Sequence, residues 1–468
     1  MALVFHFRKA AIAGLMLAVL LLVPIQTAFG SSSLSFGATV NLSTNKGNNT
    51  IDDPHAIASA GPNVYVTWGG PYKGAQTIFF RASNDNGSSW GPVMIMSNDA
   101  GPNVLQKLAA SGNDVYVTWL DRTGGSQLVV VRSSTDDGAT FGPATVISPF
   151  PAIEPKIAAC GSSVFVAWVN STSRAQNNSK AAETMFFRAS QNQGETWGPT
   201  INLQANDTVQ RGNEQEVECY ANNVYVVYSD WTTGTRNVFV SVSQDSGLSF
   251  LHNYDLSAIS KGNIREPVIA VGGAYAYAYW IYRTSGSSNY QVMVSVSSNN
   301  GTSWGAPTNI CNDALNCHEP FMAASNTNGS NAYVVLHEYG PGGVDYLYFR
   351  YTNNGGATWS SKVDLTSTTQ KKQNSFGSIT AVGSWVFITW SDSSTGHFQE
   401  YFTSSSDYGH TLAPVQNLSN DLGSAGVIHY GHQERAISAS STHVYVIWED
   451  NTTPKGKIDL FFRAAPFS

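Results

Sequence analysis

Five glutamates occupy the same place in five repeated strands. The segments read Glu154-Pro155-Lys156-Ile157, Glu214-Gln215-Glu216-Val217, Glu266-Pro267-Val268-Ile269, Glu319-Pro320-Phe321-Met322 and Glu434-Arg435-Ala436-Ile437. Carboxylates drawn together in one register raise one another's pKa unless something neutralises them. Such a set suits a bound cation, calcium among the candidates, or a polyhydroxylated ligand. The competing reading is scaffolding, in which each Glu takes up backbone N–H groups or an Arg of the neighbouring unit, and repetition in register favours it. The first repeat carries Asp53-Pro54-His55, displaced by one residue, and the second and seventh carry Leu105 and Phe376.

A second acidic set follows another strand of each repeat: Asp121, Asp230, Asp392 and Asp450, with Glu338 and Asn170 equivalent. Turn capping accounts for most of it. Residues that break the repeat are better candidates for function. Trp231 lies outside the repeated Trp positions, with Tyr282, Tyr339 and Tyr430 in nearby loops. An aromatic platform beside carboxylates suits stacking against a sugar ring. The expected ligand-binding residues are therefore Glu154, Glu214, Glu319, Asp230, Trp231 and Tyr282. His55, His318 and His432 stand near strand starts without the spacing of a transition-metal site. Arg211, Arg265 and Arg435 lie near the same starts, and Arg122, Arg174, Arg236 and Arg283 in loops of the same face. Arg81, Arg132, Arg188, Arg350 and Arg463 recur in register in a third strand and read as ion-paired scaffold.

The elements that must position these groups follow from composition and repetition. The chain has 468 residues, 12% charged and 12% aromatic, with 42 Gly, 12 Trp and 4 Cys. A soluble domain is usually about 25% charged, so ionic surface is scarce. The aromatic content excludes a disordered chain, four Cys exclude a disulfide-framework miniprotein, and a net charge of -7 argues against nucleic-acid partners. No nucleophile elbow, P-loop, H-E-x-x-H or dinucleotide fingerprint occurs. Arg8 and Lys9, the apolar run Ala10–Val23 and the ending Ala28-Phe29-Gly30 read as a signal peptide over residues 1–30. That leaves a secreted or surface-displayed domain over 31–468 with no further apolar stretch long enough to span a membrane. Export permits disulfides. Cys311 and Cys317 are near enough to close a small ring, and Cys160 and Cys219 fall at nearly equivalent places in successive repeats.

Val64-Tyr65-Val66-Thr67-Trp68 recurs as Val115-Tyr116-Val117-Thr118-Trp119 and Val164-Phe165-Val166-Ala167-Trp168. Further copies end at Tyr228, Trp280, Leu336, Trp390 and Trp448, eight in all. Their alternation of β-branched and aromatic residues marks buried strands. A following strand, such as Ile78-Phe79-Phe80-Arg81, leads into the turn Ser83-Asn84-Asp85-Asn86-Gly87-Ser88-Ser89-Trp90. The turn recurs with Asp136 and Gly138, Asp245 and Gly247, and Asp407 and Gly409; Asn192, Asn299 and Asn354 replace the Asp in three further copies. The Asp or Asn caps its own turn, Gly supplies a positive φ, and the closing aromatic is available for burial.

This turn resembles the Asp-box, or bacterial neuraminidase repeat, S/T-x-D-x-G-x-T-W/F, of sialidase-like β-propellers, and it does so seven times across nearly all of the mature chain. The resemblance implies an all-β fold, a single β-propeller, in which Asp85, Asp136, Asp245 and Asp407 are structural and lie on the face away from the ligand. Eight strand copies against seven turns imply eight four-stranded blades. The N-terminal strand Phe36-Gly37-Ala38-Thr39-Val40-Asn41-Leu42-Ser43 would complete the last blade, whose C-terminal part stops at Phe461-Phe462-Arg463. Closure of the ring removes free sheet edges. Sialidases themselves have six blades. Enzymes of the family clamp a sialic-acid carboxylate with three Arg and use a Tyr–Glu pair as nucleophile and base. The corresponding residues here would be Arg211, Arg265 and Arg435, with Tyr430 beside Glu434 or Glu266. Their usual F/Y-R-I/L-P motif is absent, and the nearest strand reads Phe36-Gly37-Ala38. The expectation is a secreted propeller that binds a glycan or a cell-surface protein on its channel-mouth face, with no certain cofactor. An exo-α-sialidase or related glycoside hydrolase, and a structural envelope protein, are the alternatives.

Overall fold

Each repeat folds into a four-stranded antiparallel sheet, and in the computed structural model eight such sheets stand side by side around an axis. The structure describes residues 32–468 apart from 44–52, 98–100, 126, 171–182, 205–212, 232–234, 258–261, 285, 312–315, 341–343, 367–373, 394–397, 421–424, 427–435 and 451–457. The expected signal peptide lies outside the described residues. Among those residues no helix is long and apolar enough to cross a membrane.

Blade 3 shows the unit. Its innermost strand is Ala152–Cys160, followed outward by Ser163–Asn170, Thr184–Ser190 and Ile201–Asn202. The innermost strands meet all the way round and enclose an axial cavity of about 330 Å3. Blade 8 is assembled from both ends of the chain, as its sequence implied. Val40–Asn41 lies beside the C-terminal strand Asp459–Pro466, with Val40 opposite Phe462 and Asn41 opposite Phe461. The inner edge of this blade comes in two pieces, Ala425–Gly426 and Ile437–Ala439, both paired with His443–Asp450.

The alternating apolar strands are buried on both faces because each blade is sandwiched between two others. Within a blade, Trp168 stacks on Phe186 at 6.1 Å and Trp68 on Phe79 at 5.6 Å. Between blades, the aromatics that end the Asp85, Asp136 and Asp245 turns insert into the preceding unit: Phe141 meets Phe80 edge-on at 4.9 Å, and Phe250 meets Phe187 at 4.9 Å.

The turns explain how blades approach so closely. Asp136 accepts from the Ser134 hydroxyl at 2.6 Å, the Thr140 N–H at 2.9 Å and the Thr140 hydroxyl at 2.5 Å. Asn192 accepts from the Thr196 N–H at 3.0 Å in the same way, so an amide suffices. Gly138 has φ 74°, and a Cβ there would stand 2.9 Å from the Phe80 ring of the neighbouring blade. Backbone conformation and lack of space both require glycine at that position.

The third-strand arginines are not the ion-paired scaffold their register suggested. Arg132 donates through Nε to the Gly142 carbonyl at 2.8 Å and through Nη1 to the Met96 carbonyl of the preceding blade at 3.2 Å. Arg81, Arg188 and Arg463 do the same with Leu42, Ile147 and Leu418. These carbonyls lie just past the short outermost strands, and a guanidinium fork supplies donors that a further strand would otherwise provide.

Both expected disulfides form. Cys160–Cys219 joins the ends of the innermost strands of blades 3 and 4, on the face of the Asp turns. Cys311–Cys317 joins the end of blade 5 to the innermost strand of blade 6 near its start, on the opposite face.

Two outcomes follow for stability. Asp136→Ala should lower it by about 1 kcal/mol, as loss of a capping side chain does, and Asp136→Asn by much less. The capping bonds hold the Asp136 carboxyl down to about 2. Its contribution is therefore present above the ordinary carboxylate pKa of about 4 and lost as pH falls through about 2; urea melts of the wild type and Asp136→Ala at pH 7 and pH 2 would show the difference closing. On the loop-entropy account, replacing Cys160 and Cys219 with Ala should cost about 4 kcal/mol, against about 2 kcal/mol for Cys311 and Cys317, measurable in the same melts.

Candidate functional site at the channel mouth

On the face opposite the Asp turns, the innermost strands of blades 2 to 6 each skip register against the second strand. The breaks fall between Val104 and Lys107, Ile153 and Lys156, Asn213 and Glu216, Arg265 and Val268, and His318 and Phe321. At the bulges Leu105, Glu154, Glu214, Glu266 and Glu319 adopt φ of 57°, 53°, 50°, 54° and 46°. A left-handed conformation costs a non-glycine residue about 1–2 kcal/mol, and a bulge re-aims the side chain it carries. The in-register glutamates are thus the residues of a recurring backbone device.

Their contacts run from blade to blade. The Gln215 side-chain amide donates to the Glu154 carbonyl oxygen, and Lys156 pairs with Glu216 at 2.9 Å. The Glu214 carboxylate accepts the Glu266 N–H at 2.7 Å and the Arg236 guanidinium at 2.6 Å. Arg236 is itself buried, donates to the Ser229 hydroxyl at 3.1 Å, and lies 6.0 Å from the ring of Trp231, which is 43% exposed. Glu266 differs from Glu214. Burial, reinforced by the Glu214 and Glu319 carboxylates and opposed by Arg265 and Arg236, pushes its carboxyl up to about 7.

In blade 6 the His318 ring stacks on Tyr339 at 4.2 Å, with Nδ1 3.7 Å from Glu319. His337 lies behind it, 5.9 Å between ring centroids, fully buried, with Nδ1 3.5 Å from Asp345. His318 Nε2 and both His337 nitrogens are buried without a hydrogen bond. Tyr339 is 44% exposed, and burial of the rest, with Asp345 and Glu319, pushes its hydroxyl upward, so it stays protonated at neutral pH. Contacts link Trp231, Arg236, Glu214 and Glu266 across blades 4 and 5, and Glu319, His318 and Tyr339 within blade 6, and the Glu319 charge acts on Glu266 between the two groups. Arg265 is exposed beside it, and Arg283 covers the Tyr290 ring at 4.7 Å.

Several expected site residues fall elsewhere. Arg211, Arg435, Tyr430 and Glu434 lie outside the described residues, as does His432, and nothing is described of the His55 side chain. Asp230, expected among the ligand-binding residues, is instead fully buried and takes the side-chain amide of Gln204. Asp392 and Asp450 are buried too, and Glu338 is buried against Lys362. This acidic set locks the ends of second strands. Tyr282 is half-buried in the second strand of blade 5, at the position Asp230 holds in blade 4.

His337 and Asp345 were not recognised from the sequence. The signal was Leu336, which stands where the other seven second strands end in an aromatic, next to the one His at the following position. As for a cation, the charge of Glu214 and Glu216 is already met by Arg236 and Lys156. The potential ligands that converge among the described residues are Cys311, Cys317 and Glu338, whose sulfurs are joined in a disulfide and offer no thiolate.

No family model matches the chain, and no curated protein matches it. Among solved structures it is similar to a polysaccharide lyase of family PL25, an ulvan lyase, with a TM-score of 0.51 and 12% identity over 90% of this chain and 95% of that one. A PL25 ulvan lyase bound to -[GlcA(1-4)Rha3S]- aligns with a TM-score of 0.50 and 11% identity over the same shares, 90% and 95%. A Hadza microbial sialidase aligns with a TM-score of 0.38 and 14% identity over 73% of each chain. At such identities the likeness to the ulvan lyases is one of fold, a β-propeller, and of fold alone.

The raised carboxyl of Glu266 has a consequence for stability. The folded protein keeps a proton that the unfolded chain loses above pH about 4.5, so its stability should fall as pH rises from about 4.5 to about 7. Glu266→Gln, which carries no titrating group there, should flatten that part of the stability–pH curve in denaturant melts.

Proposed function

We propose that the protein binds a carbohydrate chain across the channel-mouth face of blades 4 to 6 and cleaves it by acid–base chemistry centred on Glu266. The observation that carries this reading is the carboxyl poised at about 7 within a row that ends in an exposed Trp at one side and an exposed Tyr at the other. A general acid or base works best when its pKa lies near the working pH. Trp231 offers a stacking platform, steadied by Arg236 at its edge. Exposed Arg265 supplies a cation for a carboxylate or sulfate on the sugar. Tyr339, held protonated, donates a hydrogen bond or a proton, and His318 beneath it fixes the ring. The ulvan lyases of similar fold act on a polysaccharide. The two disulfides fit an extracytoplasmic location.

A panel of neutral, uronate-containing and sulfated polysaccharides, with a fluorogenic sialoside added for the exo-sialidase alternative, tests the proposal. New reducing ends report cleavage of either kind, and absorbance of an unsaturated uronate reports elimination alone. Trp231→Ala should weaken binding by about tenfold or more, in line with the stacking of one aromatic ring. Glu266→Gln should bind normally but lose about 10²–10⁴ in turnover. If Glu266 acts as the acid, wild-type turnover declines above pH about 7. Turnover that ignores Glu266→Gln removes it from the chemistry, and binding indifferent to Trp231→Ala and Arg265→Ala together removes the face.

A further inference from the structure

The two disulfides join different things. Cys160–Cys219 closes a separation of 59 residues and lies on the face of the Asp turns, whereas Cys311–Cys317 closes a separation of 6 on the face of the site. So short a loop constrains the unfolded chain less than the long one does, and the second bridge has a further effect in what it holds.

Cys311 stands where other blades carry a serine that secures their third strand. The hydroxyls of Ser97, Ser148 and Ser257 accept the N–H groups of Ile78, Val129 and Val238 at 3.0, 2.8 and 2.8 Å. Cys311 Sγ accepts that of Val292 at 3.2 Å in the same manner, so this end of the bridge is anchored in blade 5. The other end, Cys317, belongs to the innermost strand of blade 6, Asn316–Ala324, one residue before His318 and two before Glu319. Its N–H donates to the Tyr290 carbonyl of blade 5 at 2.9 Å. Glu338 pairs across the strand from Cys317, its carboxylate within 4.8 Å of both sulfurs and bound to Lys362. Cys311, Cys317 and Glu338 are all buried, so the bridge is packed on every side.

We infer that the Cys311–Cys317 bridge is a positioning element of the channel-mouth site: it ties the start of the innermost strand of blade 6 to blade 5 and thereby sets the Glu319 carboxylate toward Glu266. Its value for activity rests on the function proposed above, but its geometric effect does not. Glu266 faces Glu214 and Arg236 from blade 4, Arg265 from its own strand and Glu319 from blade 6. Of these, Glu319 is the group whose placement the bridge governs. Without the bridge Glu319 draws away, and the carboxyl of Glu266 moves back toward the ordinary range.

The test uses the full mature chain with Cys311→Ser and Cys317→Ser together, which puts the residue of the other blades in place of Cys311. Carboxyl NMR titration of glutamate-labelled protein, with Glu266 assigned through Glu266→Gln, reads the site without any ligand. The expected result is a fall of about half a pH unit or more in the Glu266 midpoint. Glu319→Gln with the bridge intact should reproduce that fall, and Cys160→Ala with Cys219→Ala should leave the midpoint unchanged while lowering the melting temperature more. An unmoved midpoint in the Cys311→Ser, Cys317→Ser protein overturns the inference, as does an equal shift on removing the other bridge. If the serine variant does not fold, Cys311→Ala with Cys317→Ala is read against the same two outcomes. A shifted midpoint in a protein that cleaves no carbohydrate would sink the proposed function and leave the positioning role standing. With a cleavable polysaccharide in hand, loss of the bridge should lower kcat several-fold with KM little changed, since Trp231 and Arg265 lie in blades it does not bind together.

Discussion

Val40 and Asn41, from one end of the chain, lie against Phe462 and Phe461 from the other, and the ring depends on that pairing. The contact is short in backbone terms but dense in what it engages. The Ser43 hydroxyl donates to Asp459 at 2.9 Å and accepts the Leu460 N–H at 3.0 Å, and Arg81 of blade 1 reaches the Leu42 carbonyl at 3.1 Å. Trp90 of blade 1 packs edge-on against Phe462 at 4.9 Å, beside Gly87, where a Cβ would lie 2.3 Å from the same ring. An N-terminal strand thus becomes the fourth strand of the last blade and the wall on which the first blade rests. Without it the outer edge of Asp459–Pro466 would be open to pairing with other chains. With it, the innermost strands are held in a closed circle and their starting ends are brought to one face.

The two faces use the backbone differently. On the turn face, left-handed residues are mostly glycines or Asn and Asp, which reach that conformation easily, and each turn is closed by its own capping bonds. On the channel-mouth face, the left-handed residues at the bulges are glutamates and a leucine. Strain of that kind persists only where surrounding contacts over-determine it, and the bonds from Gln215 to Glu154 and from Glu266 to Glu214 are such contacts. The same crowding that stabilises the bulges sets neighbouring carboxylates against each other. Arg236 relieves Glu214; Glu266, deeper and between two acids, keeps its proton to a higher pH. A scaffold device and a carboxyl of raised pKa are in this way made from one register position, so the scaffolding reading of the five glutamates leaves room for a functional one.

What the sequence made legible was whatever repeats. Strand identity, blade count, terminal closure and the Cys160–Cys219 pairing are consequences of a pattern seen eight times, and position in the pattern is position in space; Cys311–Cys317 was legible from nearness in sequence. Partners are another matter. The third-strand arginines had the right register for a scaffold, yet they bind carbonyls, because what they meet is a strand end of the preceding blade that no periodicity describes. Asp230 looked like a loop carboxylate on the functional face. It is buried because Gln204, 26 residues upstream, supplies the donor it needs. Of the candidate clamp of Arg211, Arg265 and Arg435, Arg265 is exposed at the site, whereas Arg211 and Arg435, with Tyr430 and Glu434, lie outside the described residues.

Blade 6 shows why departures from the pattern carry more information than conformity to it. Leu336 replaces the aromatic that elsewhere stacks on the third strand, and His337, His318 and Tyr339 gather beside it. Its innermost strand is the one bridged to the preceding blade at the mouth rather than at the turn face. A structural repeat has no use for two buried histidines that leave three ring nitrogens without hydrogen bonds and turn their Nδ1 atoms only toward carboxylates at 3.5–3.7 Å. Nor does a seven-residue disulfide ring add much to a fold already closed by eight blades. Both become intelligible if blade 6 gives up packing regularity to hold a particular set of side chains against Glu266 of blade 5. Symmetry builds the ring, and blade 6 departs from it at the mouth, beside Glu266.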